Sequence, residues 1–109
     1  MLTEEQRFSI QVQRNMNGIT LEKTGQVEDA ILLYEANITE SFDGNHPYDG
    51  LTIIYRKQKR YDDVVRVLMR AVEVFSWLAQ TRSRQDVPPK LHRHQSYWQP
   101  VPLPYSWST

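Results

Sequence analysis

Between the N-terminus and Gln80, apolar side chains recur every three or four positions, the spacing that places them on one face of an α-helix. Short polar segments interrupt this pattern three times. The clearest stretch runs from Tyr48 to Phe75, where two apolar runs flank the basic segment 57–60. This pattern predicts two helices that are joined by a tight connection and packed against each other.

Boundary signals divide the stretch into four predicted helices. Thr3 and Gln6 have the spacing of a capping box, so we expect the first helix to begin near residue 4. Gly25 can end it, because glycine adopts the left-handed cap conformation at little cost. The turn-forming segment 43–46 precedes a third helix that begins at Pro47. The predicted helices span residues 4–23, 26–41, 47–57 and 62–80.

The apolar stripes predict which side chains of each helix point inward. The predicted inward residues are Phe8, Val12, Met16 and Ile19 in the first helix; Val27, Ala30, Ile31, Leu33, Tyr34 and Ile38 in the second; Tyr48, Leu51, Ile54 and Tyr55 in the third; and Val64, Leu68, Ala71, Val72 and Phe75 in the fourth. Such stripes pack helices around one shared core.

The composition changes after Thr81. Five of the six prolines lie beyond this point, and aromatic residues such as Trp98 and Trp107 are interleaved with them. A helix cannot continue through so many prolines, so we expect extended, polyproline-like structure there. The sequence thus predicts a helical domain over residues 1–80 and an irregular Pro/aromatic tail over 81–109.

The second predicted helical pair repeats the first at a fixed distance along the chain. Gly25 aligns with Lys59 and Tyr34 aligns with Leu68, and both pairs have the same difference in residue number, here called the repeat offset. It equals the period of tetratricopeptide (TPR) repeats, roughly 34 residues. These repeats are helical hairpins that stack into a solenoid with a concave groove.

Particular residues also resemble the TPR family. Matching positions carry its aromatic, small and apolar packing residues: Gly18, Gly25, Ala30 and Tyr34 in the first unit, and Tyr48, Leu51, Tyr55, Tyr61, Leu68 and Ala71 in the second. The segments FDGNHPY and IIYRKQKRYDD are similar to uncharacterised bacterial TPR proteins. The resemblance covers about residues 12–78. Arg14, Asn17 and Asn37 depart from the family's apolar or small residues.

The resemblance implies an all-α fold made of two TPR-like hairpins, an α-solenoid fragment with four main helices. It also implies a non-enzymatic scaffold that binds a protein or peptide. The groove would be lined by Val12, Asn15, Ile19, Glu22, Lys23, Asp49, Ile53, Arg56 and Lys57. Asp49 would repel a peptide carboxylate, so we do not expect a terminal-carboxylate clamp. The alternative is that these residues form an ordinary solvated surface.

The fourth helix is the end of this short array, and its outer side needs a cover, because solenoids usually require three or more repeats. We expect Val72, Phe75 and Leu78 to be covered either by the tail, through Trp98 and Trp107, or by another subunit. The tail could instead be a proline-rich ligand for another protein or an incidental extension.

Charge and composition narrow the function classes. Lys and Arg together number 13, as do Asp and Glu, so the formal net charge is zero and non-specific binding to nucleic acid or membranes is not expected. The tail is basic and the body acidic. Without cysteines there are no disulfides or thiolate sites. With no secretory signal and no membrane span in the sequence, we expect a cytoplasmic protein.

Two further binding hypotheses rest on small groups of residues. His92 and His94 could ligate a metal ion only with a third ligand from elsewhere, so we expect no metal and no cofactor. The basic turn 57–60, flanked by Tyr55 and Tyr61, could contact RNA together with the basic tail. The alternative function is therefore a small RNA-associated or regulatory subunit.

Overall fold

Residues 1–85 are described by a computed structural model, and over this range the chain contains four α-helices and no strand. They are α1 (Glu4–Lys23), α2 (Val27–Thr39), α3 (His46–Lys57) and α4 (Tyr61–Gln85). This confirms the all-α prediction, and α4 is longer than expected. The chain divides inside α4 into two units, Met1–Ser76 and Trp77–Thr109. The packing described below is that of the first unit.

The start of α1 is held by a capping box. The backbone N–H of Gln6 donates to Thr3 Oγ1 at 3.0 Å, and the backbone N–H of Thr3 donates to Gln6 Oε1 at 2.9 Å. These bonds satisfy donors that lack a partner within the helix. The predicted start of α1 is confirmed.

The end of α1 is a Schellman motif. The backbone N–H of Gln26 donates to the Leu21 carbonyl at 2.8 Å, and that of Gly25 donates to the Glu22 carbonyl at 3.1 Å. Gly25 has a φ of 82°, the left-handed conformation that this motif requires.

The same motif ends α3, at the position that corresponds to the end of α1 by the repeat offset. The backbone N–H of Arg60 donates to the Tyr55 carbonyl at 2.8 Å, and that of Lys59 donates to the Arg56 carbonyl at 3.0 Å. Lys59 has a φ of 60°, so it adopts the conformation of its counterpart Gly25 despite carrying a side chain. Ser41, with a φ of 62°, ends α2 in the same way, so what α1 and α3 share beyond α2 is the position of the motif at the repeat offset.

The core lies between α2, α3 and the inward side of α4. Its buried members are Ala30, Ile31, Tyr34 and Ile38 of α2, Tyr48, Leu51, Ile54 and Tyr55 of α3, and Val67 of α4. The predicted inward faces of α2 and α3 are confirmed at these positions. The α2 and α3 helices pack directly on each other, as do α1 and α2.

The predicted inward face of α1 is wrong for three of its four residues: Phe8, Met16 and Ile19 are exposed, and Val12 is partly buried. Gln11, Asn15 and Gly18 are buried instead, and Leu21 packs against the core. The contact with α2 is thus made largely by polar side chains and a glycine. Periodicity could not reveal it, because it identifies a helical face only by its apolar residues.

The predicted inward face of α4 is wrong in part. Val64, Ala71 and Phe75 pack against the core, but Leu68 and Val72 are exposed. Val67 and Val74 are buried instead. Because α4 has apolar residues around most of its circumference, the sequence pattern did not determine which of them the neighbouring helices would cover.

Candidate functional site

The outer side of α4 carries a row of exposed apolar residues, here called the α4 face: Val65, Leu68, Met69 and Val72. Their exposed fractions are 54%, 49%, 67% and 66%. The spacing i, i+3, i+4, i+7 is that of a stripe by which one helix recognises another. The four side chains line a shallow depression of about 290 Å³.

Charged residues border the α4 face on one side. Arg66 donates to Glu35 of α2 at 2.6 Å and to Asp63 at 3.0 Å, and the hydrogen bond to Glu35 is the main cause of its raised pKa. Arg70 donates to the carbonyls of Ile38 and Thr39. Both arginines therefore fasten α4 to α2.

Asp62, also on this border, lines a larger depression of about 700 Å³ together with Arg66 and Arg70. Among the described residues it makes no side-chain hydrogen bond or ion pair, in contrast to its neighbour Asp63, whose pKa is lowered mainly by the hydrogen bond from Arg66. Asp62 is therefore the acidic group of this border whose charge has no partner in the described part of the chain.

The repeat gives each residue of the α4 face a counterpart in α2. The apolar counterparts, at the repeat offset, are Ile31 for Val65, Tyr34 for Leu68 and Ile38 for Val72. These three α2 residues have exposed fractions of only 5%, 0% and 2%. The same apolar positions are thus buried in α2 and exposed in α4.

The helix that packs on this part of α2 is α3. The ring of Tyr34 lies so close to Gly50 of α3 that a Cβ there would be 3.1 Å from Tyr34 Cε2. Ile31 and Ile38 belong to the buried cluster that also contains Leu51 of α3 and Val67 of α4. The α4 face therefore differs from its α2 counterpart because the α2 residues are buried against neighbouring helices, α3 among them, whereas the α4 residues are exposed.

The exposed side of α1 is polar at the positions where α3 is apolar. Pro47, Leu51 and Ile54 of α3 are buried, and their counterparts are Gln13, Asn17 and Thr20 of α1, all exposed. Gln13 Nε2 donates to Asn17 Oδ1 at 3.0 Å. Ile10, Met16 and Ile19 of α1 are also exposed, so the polar character is confined to the positions equivalent to Pro47, Leu51 and Ile54.

The nine residues predicted to line a groove have different environments. Asn15 is buried; Val12 and Glu22 are partly buried; Ile19, Lys23, Asp49, Ile53, Arg56 and Lys57 are exposed. Among them, Glu22 and Lys57 border one small cavity of about 270 Å³, together with Val27, Ile54 and Gln58. A binding groove over the whole set stays a prediction.

Two of these residues have internal partners. Asn37, fully buried, donates to the Asn15 Oδ1 atom and to the Gln11 carbonyl, both at 2.9 Å. Its own Oδ1 accepts from Arg14. Glu22 accepts a hydrogen bond from the hydroxyl of Tyr34.

Tyr34 joins the first three helices. Its hydroxyl bonds to Glu22 of α1 and lies 3.1 Å from Nε2 of His46, the first residue of α3. A Cβ on Gly18 would be 2.5 Å from the ring, so α1 can approach only because residue 18 is glycine. The pKa of Tyr34 is raised mainly by burial and further by the hydrogen bond to the Glu22 carboxylate.

The three residues of α4 that were predicted to need a cover also differ in how exposed they are. Val72 is exposed, Leu78 is partly buried, and Phe75 packs edge-on against the ring of Tyr48, with 5.3 Å between the ring centroids. Trp98 and Trp107 lie outside the described residues. Leu68 and Met69 were not predicted to be exposed; the one signal in the sequence is that Met69 is apolar where its counterpart in α2 is Glu35.

The aromatic-basic patch proposed for RNA is largely used inside the protein. Tyr55 is only 2% exposed and donates its hydroxyl proton to Glu35. The Arg60 guanidinium lies 4.4 Å from the centre of the Tyr55 ring and pairs with Asp63. The ring of Tyr55 therefore has no face available for stacking on a base, while Tyr61 remains exposed.

Within residues 1–85, no cluster of three or more His, Cys, Asp or Glu side chains is arranged to hold a metal ion. His92 and His94 lie outside this range. None of the helices in the described part of the chain combines the length and the apolar character needed to cross a membrane.

The chain matches no family model, no curated protein and no solved structure.

Proposed function

We propose that the protein is a non-enzymatic interaction module of TPR type and that it binds a segment of another protein on the α4 face. The observation that carries the proposal is the contrast between α2 and α4. Three apolar positions that α3 covers on α2 recur on α4 with about half or more of their surface exposed. Exposed apolar surface of this extent, bordered by charged residues, is typical of a protein-binding site.

The TPR assignment is supported by two features of the chain. Its sequence resembles the family over about residues 12–78, and the ends of α1 and α3 have matching hydrogen bonds at the repeat offset. Modules of this type bind partners through helix surfaces, and they need no catalytic group for this role.

The location on the α4 face follows from chemistry. The predicted groove presents charged side chains at Lys23, Asp49, Arg56 and Lys57, whereas the α4 face is a contiguous apolar stripe. Burying apolar area contributes about 25 cal/mol per Å², so the stripe offers more binding free energy than a mixed charged surface of the same size.

The test is a selection of displayed random peptides on the immobilised full-length chain, followed by fluorescence anisotropy titration of the enriched peptides. We expect Val72→Glu to weaken their binding at least tenfold, because a carboxylate would be desolvated in the contact. Ile53→Glu, at an exposed isoleucine of the predicted groove, is the matched control and should leave binding unchanged. Circular dichroism spectra of both variants verify that the helices are retained.

Two results would contradict the proposal. If no peptide is enriched over a blank surface, the chain is not a peptide-binding module. If Ile53→Glu rather than Val72→Glu abolishes binding, the site is the predicted groove and the α4 face is not used.

A further inference from the structure

We infer that the partner segment is an amphipathic α-helix that lies antiparallel on α4, as α3 lies on α2, with a basic residue at its C-terminal end beside Asp62. This inference rests on the proposed function and specifies the partner of the α4 face. Its basis is the α2–α3 contact within this chain, which shows how a helix occupies the equivalent surface.

The direction of the helix follows from contacts at the two ends of the α2–α3 pair. At the start of α2, Glu28 accepts a hydrogen bond from Gln58, the residue that follows α3. At the other end, Tyr48 in the first turn of α3 donates to the Phe42 carbonyl, just beyond α2. The two helices are therefore antiparallel, and the C-terminal end of α3 lies at the N-terminal end of α2.

Applied to α4, this arrangement places the C-terminal end of the partner helix at Asp62, the counterpart of Glu28. The Glu28 carboxylate accepts a hydrogen bond from Gln58, but the Asp62 carboxylate makes no side-chain hydrogen bond among the described residues. A Lys or Arg in the last turn of the partner would pair with this carboxylate and would also favour the negative end of its own helix dipole. Charge complementarity thus defines one end of the partner.

Two residue differences between α4 and α2 determine which side chains the middle of the partner helix can carry. Leu68 replaces Tyr34, so the partner can carry a small side chain such as alanine where α3 needs Gly50. Met69 replaces Glu35, which accepts the hydrogen bond from Tyr55 in the α2–α3 pair. The partner should therefore present an apolar residue, without a hydroxyl group, to Met69.

A second copy of the chain does not meet these requirements. Stacking on α1 of another copy would bury the polar residues Gln13, Asn17 and Thr20. A symmetric α4–α4 pair centred on Leu68 would place Arg66 of one copy opposite Arg70 of the other. Both arginines already have partners within their own copy, so neither would supply a basic group for Asp62.

Area leads to the same conclusion. Four side chains that each bury on the order of 100 Å² would give a symmetric pair roughly 800 Å², below the ~1,200 Å² at the lower end of stable interfaces. A stable homodimer through this face is not expected. A single helix that docks reversibly suits a surface of this size.

The experiment uses a defined probe, an acetylated and amidated fluorescent peptide with the sequence of residues 46–58 and two changes, G50A and Y55L. These changes fit the probe to Leu68 and Met69, and it keeps Arg56 and Lys57 in its last turn. We expect saturable binding to the full-length chain with a Kd between about 10 µM and about 1 mM, the range of weak, small interfaces.

Three variants of the protein define the site of binding. Val72→Glu should weaken binding at least tenfold, and Asp62→Lys should weaken it several-fold by repelling the basic end of the probe. Leu32→Glu, at an exposed leucine of α2, should have no effect. A spin label on the C-terminus of the probe should broaden the amide signals around Asp62 more than those around Val72.

Several results would overturn the inference. These are the absence of binding at about 1 mM probe, equal weakening by Leu32→Glu, or broadening at the Val72 end. Binding that appears only after removal of residues 86–109 would assign the face to the chain's own C-terminal residues. A dimer in sedimentation experiments that Val72→Glu dissociates would assign it to a second copy. If the probe does not bind but selected peptides still bind the α4 face, the proposed function stands and the helical partner is refuted. If neither the probe nor any selected peptide binds, both the proposed function and the inference are refuted.

Discussion

Replacing Asn37 by alanine tests whether the polar contact between α1 and α2 stabilises the fold. Asn37 is fully buried and connects three groups: it donates to the Gln11 carbonyl and to Asn15, and it accepts from Arg14. The TPR family usually has a small alanine here, so the resemblance alone favours the substitution. The structure predicts the opposite.

The expected loss of stability follows from the partners that remain. Asn15 Oδ1 would be left buried without a donor, at a cost of about 1–3 kcal/mol, and the loss of the other neutral bond costs about 1 kcal/mol. Arg14 keeps its ion pair with Glu40 at 2.9 Å, so its loss is small. Alanine regains up to about 0.7 kcal/mol of helix propensity. The net destabilisation is about 1–3 kcal/mol.

Urea unfolding followed by circular dichroism measures this change as a lower midpoint at an unchanged m-value. For a domain of this size it corresponds to a Tm lowered by roughly 5–20 °C. Asn17→Ala is the matched control: Asn17 is an exposed asparagine within α1, so its replacement should be neutral or slightly stabilising.

A double-mutant cycle with Asn15→Ala gives a stricter test. Because Asn15 and Asn37 satisfy each other, the double variant should lose less stability than the sum of the two single variants, by at least about 0.5 kcal/mol. An Asn37→Ala variant as stable as the wild type, or additive effects in the cycle, would refute the role assigned to these bonds.

Three further changes have predicted signs. Lys59→Gly should raise the free energy of unfolding by about 1 kcal/mol, because a non-glycine residue at positive φ is strained; urea unfolding measures it. Gly18→Ala should lower the free energy of unfolding by about 1–2 kcal/mol despite the better helix propensity of alanine, because the new Cβ collides with Tyr34. In a Tyr34→Leu background the same substitution should raise the free energy of unfolding. The pKa of Glu40 is lowered mainly by the hydrogen bond that it accepts from Arg14. The ionised carboxylate therefore stabilises the fold above its ordinary pKa of 4.5, and this stabilisation is lost as the pH falls through the lowered pKa. Glu40→Gln should therefore destabilise the fold at neutral pH and make no difference in strong acid.

Each of these predictions has an outcome that contradicts it. Unchanged stability in Lys59→Gly would mean that the left-handed conformation at this position carries no strain. A stabilising Gly18→Ala in the wild-type background would show that Tyr34 can move at little cost. A stability difference between Glu40→Gln and the wild type that persists in strong acid would exclude the carboxylate as its cause.

For α2 and α3, local sequence was sufficient to predict the fold. Most of their apolar residues lie on one side, with Leu32 and Ile53 as exposed exceptions, and Ile31, Tyr34, Leu51 and Ile54 are buried as predicted. The helix start at Thr3 could also be predicted, because capping depends on residues three positions apart.

The inward faces of α1 and α4 could not be predicted in this way. On α1 the contact with α2 includes Gln11 and Asn15, whose hydrogen-bond partners lie outside α1 and leave no periodic signal. On α4 the sequence offers apolar residues on several sides, and which of them are buried depends on the helices that lie beside it.

The sequence by itself determined the helical class, the positions of the turns and the repetition of the helical pair, because these depend on spacing along the chain. Only the tertiary structure decided that Leu68 is exposed while its counterpart Tyr34 is buried. The physical reason is that burial requires a neighbour: α3 covers α2, and α4 has no equivalent helix within the described residues. The candidate binding surface is defined by this difference between two similar helices.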